Sequence, residues 1–497
     1  MHQQKAYYLG LDLGSSSIKV SLVEKVSGKS LGVVQVPDSE MEIDAPQSGW
    51  AEQDPETWWQ LVCEGIKKIK ETHGVAAKQI KGVGIAYQMH GLVLVDKQGD
   101  PLRKAIIWCD SRAVEIGEKA YKDLGQDYCD NHLLNSPGNF TASKLAWVKQ
   151  NEPEIFEKVH KMMLPGDFIA FRLSGSPTTT LSGLSEGIFW DFKENRLSQK
   201  LLDFYGITSD FIPEIKPTFG EQCTISKEAA EVCGLQEGTP ILYRAGDQPN
   251  NALSLNVFHP GEVAATGGTS GVMYAVTDNL SAKECQKVNN FIHINHNKQT
   301  KRIGKLLCIN GAGIQYRWLM NNLAVSSYDE MNQLASKVGI GSDGVVILPF
   351  GNGAERMLLN QDIGTRIVNL NLNRHRNGHL CRAALEGIAF SFVYGFEIMQ
   401  SDGIQTKVIR AGNDNLFRSA IFADTIATLL QKEIEIYDTT GAIGAARACT
   451  LIDGNHDRFS TYIKNDHVMT ITPEKDPSLY EKAYKTWKKE LKLILDI

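Results

Sequence analysis

Two aspartates stand where an apolar, strand-like segment runs into a polar turn. Asp12 lies near the end of YYLGLDL and is followed by the turn Gly14–Ser17, which contains three serines. Such a turn offers backbone N–H groups and hydroxyls to an anion, and a carboxylate beside it attracts a cation such as Mg²⁺. Asp247 follows the apolar run ILYRAG, with Gln248 next to it. A carboxylate at the end of a strand could accept the proton of an attacking hydroxyl in phosphoryl transfer.

Both features also have plain structural explanations. The first segment could be an ordinary hairpin, since a strand pattern resumes at Ile18 after a turn of small residues. Asp247 could be a turn residue or a helix cap. The chain has no Gly-x-x-x-x-Gly-Lys-[Ser/Thr] motif, and the turn at Gly14 is not a Gly-x-Gly-x-x-Gly turn that opens a helix. The sequence therefore excludes a P-loop, disfavours a dinucleotide-binding fold and leaves a phosphate-binding hairpin as the functional alternative.

A second group of polar residues could bind a polyol. Gln88, Met89 and His90 lie in a turn between two strand-like runs, where an amide and an imidazole could bond to hydroxyls. Trp108 and Asp110, in the segment IIWCDSR, form a similar group. For Trp108 and Asp110 a salt-bridged loop is an equally good explanation.

The elements that must position these residues alternate between strands and helices. Short apolar runs that end in Gly, Asp or His predict strands, whereas ETWWQLVCEGIKKIKETHG and HLCRAALEGIAFSFVYGFEIM have apolar residues at helical spacing. This alternation predicts an α/β fold whose sites lie where strands end. The predicted strands are Lys81–Gln88, Lys104–Asp110, Thr239–Asp247 and Lys407–Asp414.

An internal similarity predicts two related domains. The segment LDLGSSSIKVSLV resembles ATGGTSGVMYAV at residues 265–276, because both give a polar residue, glycine, small hydroxyl residues and then a strand. A separation of about half the chain is too long for a solenoid repeat. We therefore expect domains at residues 1–244 and 245–497, each opening with a phosphate-binding hairpin, and an insertion at residues 121–219 in the first. The tail DPSLYEKAYKTWKKELKLILDI predicts an amphipathic helix that packs on the body of the protein.

Composition limits the classes of function. A chain of 497 residues is long enough for two or more domains, and its net charge of −6 does not suit a nucleic-acid-binding protein. No apolar run approaches the roughly 20 residues of a membrane span, and the first residues lack the apolar core of a signal peptide. Nine scattered cysteines without a Cys-x-x-Cys pair fit a reducing compartment. We therefore expect a cytoplasmic protein that binds a small molecule, without nucleic-acid or membrane partners.

Eleven motifs in chain order resemble those of the FGGY family of carbohydrate kinases, and within that family the xylulokinases. The resemblance runs along nearly the whole chain. It implies two ribonuclease-H-like domains of the actin and hexokinase type, an active site in the cleft between them, and the use of ATP and Mg²⁺. The motifs are GLDLGSSSIK, GWAEQDPETWW, GIAYQMHG, AIIWCDSR, FTASKLAWVKQNEPEIF, LPGDFIAFRLSG, AGDQ, GGTSGV, NGAGIQYRW, RAALEGIAF and DTTGAIGAAR.

The resemblance implies a role for each candidate residue. Asp247 would be the general base, Asp12 would hold magnesium with Asp247 beside it, and Met89 and His90 would hold the sugar. The other sugar-side candidates are Gln88, Trp108, Asp110 and Gln248. The nucleotide-side candidates are Gly14, Ser15, Ser16, Gly268, Thr269, Gly311, Gln315, Gly412 and Asn415.

The chain departs from the family pattern mainly on the nucleotide side. Arg410–Asn413 stands where many members have three glycines, and GAERMLL keeps only Glu355 and Arg356 from the polar core of the usual Gly-Glu-Arg-Thr-Pro. These changes bear on nucleotide contacts and sugar choice more than on the reaction type.

The expected function is ATP-dependent phosphorylation of a ketopentose, with D-xylulose as the favoured substrate and D-xylulose 5-phosphate as the product. The chain could instead be a kinase for another ketose or polyol, such as L-ribulose or glycerol. It could also be a sugar- or nucleotide-binding regulator without turnover, or an actin-like or chaperone ATPase. In such an ATPase the Gln88–His90 turn would have no task. A homodimer is compatible with the family.

Overall fold

Two mixed β-sheets, one in each half of the chain, organise the structure. The computed structural model describes residues 5–280 and 282–495. The first sheet contains β1 (Tyr7–Leu13), β2 (Ile18–Glu24), β3 (Ser30–Val36), β4 (Ile80–Tyr87), β5 (Phe219–Thr224) and β6 (Pro240–Gly246). The second contains β7 (Glu262–Gly267), β8 (Gly271–Thr277), β9 (Asn289–Ile292), β10 (Ile303–Ile309), β11 (Val408–Gly412), β12 (Ile434–Tyr437) and β13 (His467–Ile471).

The two sheets share one topology. The first has the order β5-β6-β4-β1-β2-β3, and the second has the order β9-β10-β8-β7-β11-β12-β13. In the first sheet β1, β2 and β3 form an antiparallel meander, and in the second sheet β7, β8 and β10 do so, with β9 at the edge beside β10. In each sheet two later strands add in parallel on the other side of the first strand. This shared order of five strands is the ribonuclease-H-like arrangement, so the predicted fold class is confirmed.

Helices connect the strands and pack against the sheets. Those of six or more residues in the first half are α1 (Pro55–His73), α2 (Val114–Leu124), α3 (Thr141–Asn151), α4 (Pro165–Ser174), α5 (Leu181–Glu186), α6 (Gln199–Tyr205), α7 (Lys227–Cys233) and α8 (Asp247–Ser254). Those in the second half are α9 (Gly313–Asn322), α10 (Tyr328–Ser336), α11 (Asn377–Ser401), α12 (Ala420–Leu430), α13 (Gly441–Ala448), α14 (Asp457–Ile463) and α15 (Ser478–Leu495). Short strands pair as Glu52–Gln53 with Ala105–Ile106, Val93–Val95 with Lys161–Met163, Thr178–Thr180 with Glu214–Lys216, Trp190–Asp191 with Arg196–Leu197, and Val346–Leu348 with Arg366–Val368.

The two predicted hairpins are present, one at the start of each sheet. In the first, β1 and β2 pair with Asp12 opposite Lys19, and the turn Gly14–Ser17 closes with a hydrogen bond from Gly14 N to Ser17 O at 3.1 Å. In the second, β7 and β8 pair from Val263 opposite Ala275 to Gly267 opposite Gly271, and the turn GGTSG joins the two strands. Both turns therefore lie at the end of the first strand of their sheet.

Helix α13 comes from the second half of the chain but packs on strands of the first sheet. Glycines on the sheet permit this contact, since an added Cβ would lie 1.9 Å from Ala442 O at Gly10 and 2.0 Å from Ala445 O at Gly84. Helix α8 packs against α13, with Asn250 Nδ2 donating to Gly441 O at 2.9 Å. These contacts join the two domains at the base of the cleft.

Some sequence predictions need adjustment. The strand predicted over Lys104–Asp110 shortens to Ala105–Ile106, because the rest of this segment turns to form a loop. The division expected after Arg244 remains a proposal, although β6 continues to Gly246 in the first sheet. Within the described ranges, no helix has the length and apolar character needed to cross a lipid bilayer.

The C-terminal helix packs on the second domain, as predicted, and this contact can be tested. Trp487 is buried, lies against Phe350 and Phe390, and donates from Nε1 to Ile347 O at 3.0 Å. We expect Trp487→Ala to lower the free energy of unfolding of this domain by about 3–5 kcal/mol, measured by urea denaturation. Leu493→Ala, on the exposed face of the same helix, is the control, and equal denaturation midpoints for the two variants would contradict the prediction.

Candidate active site

Asp12 and Asp247 lie close together at the junction of the domains. Asp12 is near the end of β1 beside Gly441, where an added Cβ would lie 2.4 Å from Asp12 Oδ2. Asp247 begins α8, and Gln248 Nε2 donates to its Oδ2 at 3.3 Å. Burial, reinforced by the charge of Asp12, raises the pKa of Asp247 to about 7. Burial also raises the pKa of Asp12, and the charge of Lys19 opposes this rise. The pair therefore holds negative charge that the surrounding protein only partly neutralises.

Two side chains hold the turn after Asp12 in place through hydrogen bonds. Gln53 Nε2 donates to Ser15 O at 2.7 Å, and the indole of Trp108 donates to Ser15 Oγ at 3.2 Å. The backbone N–H groups of Ser15 and Ser16 donate to no group of the described chain. With Gly14, these residues form the small concave turn that the sequence predicted for an anion.

The predicted sugar-side residue His90 is neutral and held in one orientation. Its backbone has a φ of 60°, a left-handed value that is uncommon for a residue with a side chain. Glu186 fixes it twice, since Glu186 Oε2 accepts from His90 N at 3.3 Å and Glu186 O lies 3.1 Å from His90 Nδ1. Burial, together with the charge of Lys144, lowers the pKa of His90 to about 3. Because a carbonyl oxygen only accepts, Nδ1 carries the proton and Nε2 can accept a hydrogen bond from a hydroxyl.

Met89 and Gln88 have different surroundings. Met89 is buried against Gly246, where an added Cβ would lie 2.5 Å from Met89 Cγ, so its thioether forms an apolar wall immediately before Asp247. Gln88 is also buried and donates from Nε2 to Gln53 Oε1 at 3.4 Å. The amide of Gln88 therefore helps to position Gln53, which bonds to the turn Gly14–Ser17.

Asp110 has the salt-bridged environment that was the alternative explanation for its segment. The carboxylate is fully buried, accepts from Ala51 N at 2.6 Å and pairs with the Arg112 guanidinium at 2.7 Å. Lys144 lies nearby and donates to the carbonyl of His90 at 2.9 Å. Asp110 thus stabilises the loop that carries Trp108, and its oxygens are already engaged.

A cavity of about 500 Å³ opens in the second domain beside the hairpin turn. Gly268, Thr269 and Asn415, all predicted on the nucleotide side, line it. Tyr316 and Tyr328 also line it, with ring centroids 5.7 Å apart and planes nearly parallel. This wall offers an aromatic face to a nucleotide base, next to a glycine-rich turn that could meet the phosphates.

Gly311, Gln315 and Gly412, the remaining nucleotide-side candidates of the second domain, do not line this cavity. An added Cβ at Gly311 would lie 1.8 Å from Pro349 O, so this glycine allows close backbone packing. Gln315 Oε1 accepts from Thr365 Oγ1 at 2.7 Å. Gly412 ends β11 close to the Asp414 carboxylate.

The unusual Arg410 in the altered loop is occupied by ion pairs. Its guanidinium contacts Glu435 at 2.7 Å and Glu262 at 3.2 Å. The side chain is therefore tied to neighbouring strands of the sheet, and it does not line the cavity.

Three residues of the site were not predicted from the sequence. Glu186 and Lys144 come from the segment 121–219, where they look like surface residues of short helices. Both are buried beside His90. Tyr328 follows a helix-capping serine and gave no functional signal. Only the folded arrangement brings these side chains to the site.

The carboxylate pair fits magnesium. Mg²⁺ is commonly held by one or two carboxylates together with waters and phosphate oxygens. The described residues contain no cluster of three or more His, Cys, Asp or Glu side chains suited to a metal. Asp12 and Asp247 would thus hold the ion together with phosphates of the nucleotide.

The fold and these groups define a kinase of the two-domain, actin-like class. The chain belongs to the FGGY family of carbohydrate kinases, since the family's N-terminal domain matches residues 7–254 and its C-terminal domain matches residues 263–451. It is therefore an ATP-dependent carbohydrate kinase, a phosphotransferase with an alcohol group as acceptor.

Individual relatives agree with this assignment. The chain is 28% identical over 437 residues to a xylulose kinase of Haemophilus influenzae, covering 86% of each protein. It is 27% identical over 439 residues to a xylulose kinase of Escherichia coli, covering 88% of each. The crystal structure of a xyloylose kinase from Brucella ovis superposes with a TM-score of 0.87 at 25% identity, over 98% of this chain and 99% of that one.

The junction between the turn GGTSG and helix α9 can be tested through Gly313. Gly313 N donates to Gly268 O at 3.1 Å, and a Cβ at Gly313 would lie 2.2 Å from that oxygen. We expect Gly313→Ala to displace the turn and weaken ATP binding about tenfold, measured by calorimetry. Gly339→Ala, which adds a methyl group where no atom lies within 4 Å, should bind ATP normally. Unchanged affinity in Gly313→Ala would show that the turn does not contact the nucleotide.

Proposed function

We propose that this protein phosphorylates D-xylulose to D-xylulose 5-phosphate, with Asp247 as the general base. The observation that carries the proposal is the position of Asp247, which lies beside Asp12 and directly follows Gly246, the glycine against which Met89 packs. The names of the similar xylulose kinases support the choice of a ketopentose.

Each residue of the site would have a separate role in the reaction. Met89 would exclude water from one side of the sugar, and His90 Nε2 would accept a hydrogen bond from a sugar hydroxyl. Asp247 would take the proton from the primary hydroxyl as its oxygen attacks the γ-phosphorus of ATP. The free N–H groups of the turn at Ser15 would face the transferred phosphoryl group. Bound magnesium would supply neutralisation of the phosphate charge.

A coupled ADP-release assay tests the substrate and the base together. We expect turnover of MgATP with D-xylulose, and little turnover with L-ribulose, L-xylulose, glycerol or no sugar. Asp247→Asn should lower kcat by about 10²–10⁴-fold while leaving sugar binding detectable by calorimetry, because the base and one carboxylate of the proposed magnesium site are lost whereas Met89 and His90 are unchanged. Asp203→Asn, an exposed acid on α6, is the control. Turnover with another sugar alone would overturn the substrate assignment, and full activity in Asp247→Asn would remove this residue from the mechanism.

The raised pKa of Asp247 predicts the pH dependence of the reaction. A base works only when ionised, and with a pKa of about 7 Asp247 is increasingly protonated below that pH. We expect kcat/KM for the sugar to fall about tenfold per pH unit well below pH 7 and to level above it. His90, with a pKa lowered to about 3, should not contribute to this fall in kcat/KM. A profile that stays flat between pH 5.5 and 8.5 would contradict the role of Asp247.

A further inference from the structure

Arg356, in the second domain, is a half-buried guanidinium with few partners. Its Nη2 donates to Cys285 O at 2.8 Å, and its Nε is buried without a hydrogen-bond partner. No carboxylate of the described chain lies within 4.0 Å of the guanidinium. Burial lowers its pKa, which shows that the charge is poorly solvated. A cation in this position is costly unless an oxygen atom from elsewhere completes its hydrogen bonding.

The guanidinium lies on the sugar side of the cleft. It is 6.0 Å from the centroid of the Phe140 ring, which belongs to the first domain. Phe140 packs edge-on against His90 at 4.8 Å, and Phe291 lies 5.3 Å from the same imidazole. The charge of Arg356 also contributes to the lowered pKa of His90. Arg356 and His90 therefore lie beside the same aromatic ring, that of Phe140, although they belong to different domains.

The neighbouring residue fixes the position of Arg356. Glu355 is fully buried and accepts from Asn310 N and Gly311 N, both at 2.9 Å, at the end of β10. The same turn continues to Gly313, which bonds to the turn GGTSG at the nucleotide cavity. The backbone that carries Arg356 is thereby anchored to the rigid frame of the nucleotide site.

Resting on the proposed function, we propose that Arg356 is a sugar-binding residue. Its free N–H groups donate hydrogen bonds to an oxygen of the neutral open-chain sugar, opposite His90. The second domain thus contributes to recognition of the acceptor as well as of the nucleotide. A planar guanidinium suits this task, because its donors are fixed in direction and it cannot lose its proton at neutral pH.

The test compares Arg356→Met with Arg302→Met. Arg302 is an equivalent half-buried arginine at the other end of β10, with a buried Nε that lacks a partner and one hydrogen bond to a backbone carbonyl. We expect Arg356→Met to raise the KM for D-xylulose about 10- to 100-fold, the loss typical of a hydrogen bond from a charged group. The KM for ATP should change less than threefold. Arg302→Met should leave both constants within threefold of the unsubstituted protein.

The outcomes separate this inference from the proposed function. If the unsubstituted protein phosphorylates D-xylulose and Arg356→Met has the same sugar KM, only the role of Arg356 is overturned. A larger rise in the KM for ATP than for sugar would also overturn it. If no sugar is phosphorylated by the unsubstituted protein, both proposals fail. Should Arg356→Met unfold, Arg356→Lys keeps the charge without the planar fork, and a sugar KM unchanged in that variant and in Arg356→Gln would reject the proposal.

Discussion

The contact between helix α13 and the first sheet positions the two carboxylates that we propose for the chemistry. Gly10 and Gly84 allow the helix backbone to approach strands β1 and β4 more closely than any side chain would permit. The start of α13 then lies against Asp12, and α8, which begins at Asp247, packs on the same helix. Two acidic residues that are far apart in sequence are therefore brought together by packing between backbones. Burial, reinforced by this proximity, raises the pKa of Asp247, as the proposed role of a general base near neutral pH would require.

Burial disfavours charge on Glu186 and His90, which bond to each other at the predicted sugar side. Glu186 is buried, and burial raises its pKa well above the usual range, which favours the uncharged form of this carboxyl. His90 is neutral for the same reason. A magnesium ion and phosphates would meet the negative charge of Asp12 and Asp247. A polyol can thus bind beside the carboxylates without bringing or needing a charge of its own.

The sequence predicted the strand ends better than the interior of the pocket. Asp12, Asp247 and the two hairpin turns follow from local patterns, because the strand that carries each of them is recognisable from its apolar residues. Glu186 and Lys144 could not be predicted in this way, since they become buried only when the segment 121–219 folds over β4 and β6. Asp110 shows the opposite case. Its motif suggested a sugar-binding residue, but its carboxylate already accepts hydrogen bonds from Arg112 and from the backbone N–H of Ala51. Local patterns identify the turns, whereas long-range packing decides which side chains face the site.

The proposed sugar and nucleotide sites share one piece of structure. The turn at residues 310–313 bonds to the nucleotide-side turn through Gly313 and is held by Glu355, the residue before Arg356. Asn135 of the first domain and Asn290 of the second exchange hydrogen bonds at 2.6 and 2.8 Å, which gives the domains a second contact besides that of α13. The same backbone carries Arg356 and borders the nucleotide cavity. Closure of the cleft between the domains would therefore bring Arg356 and the nucleotide-side turn toward Asp247 together.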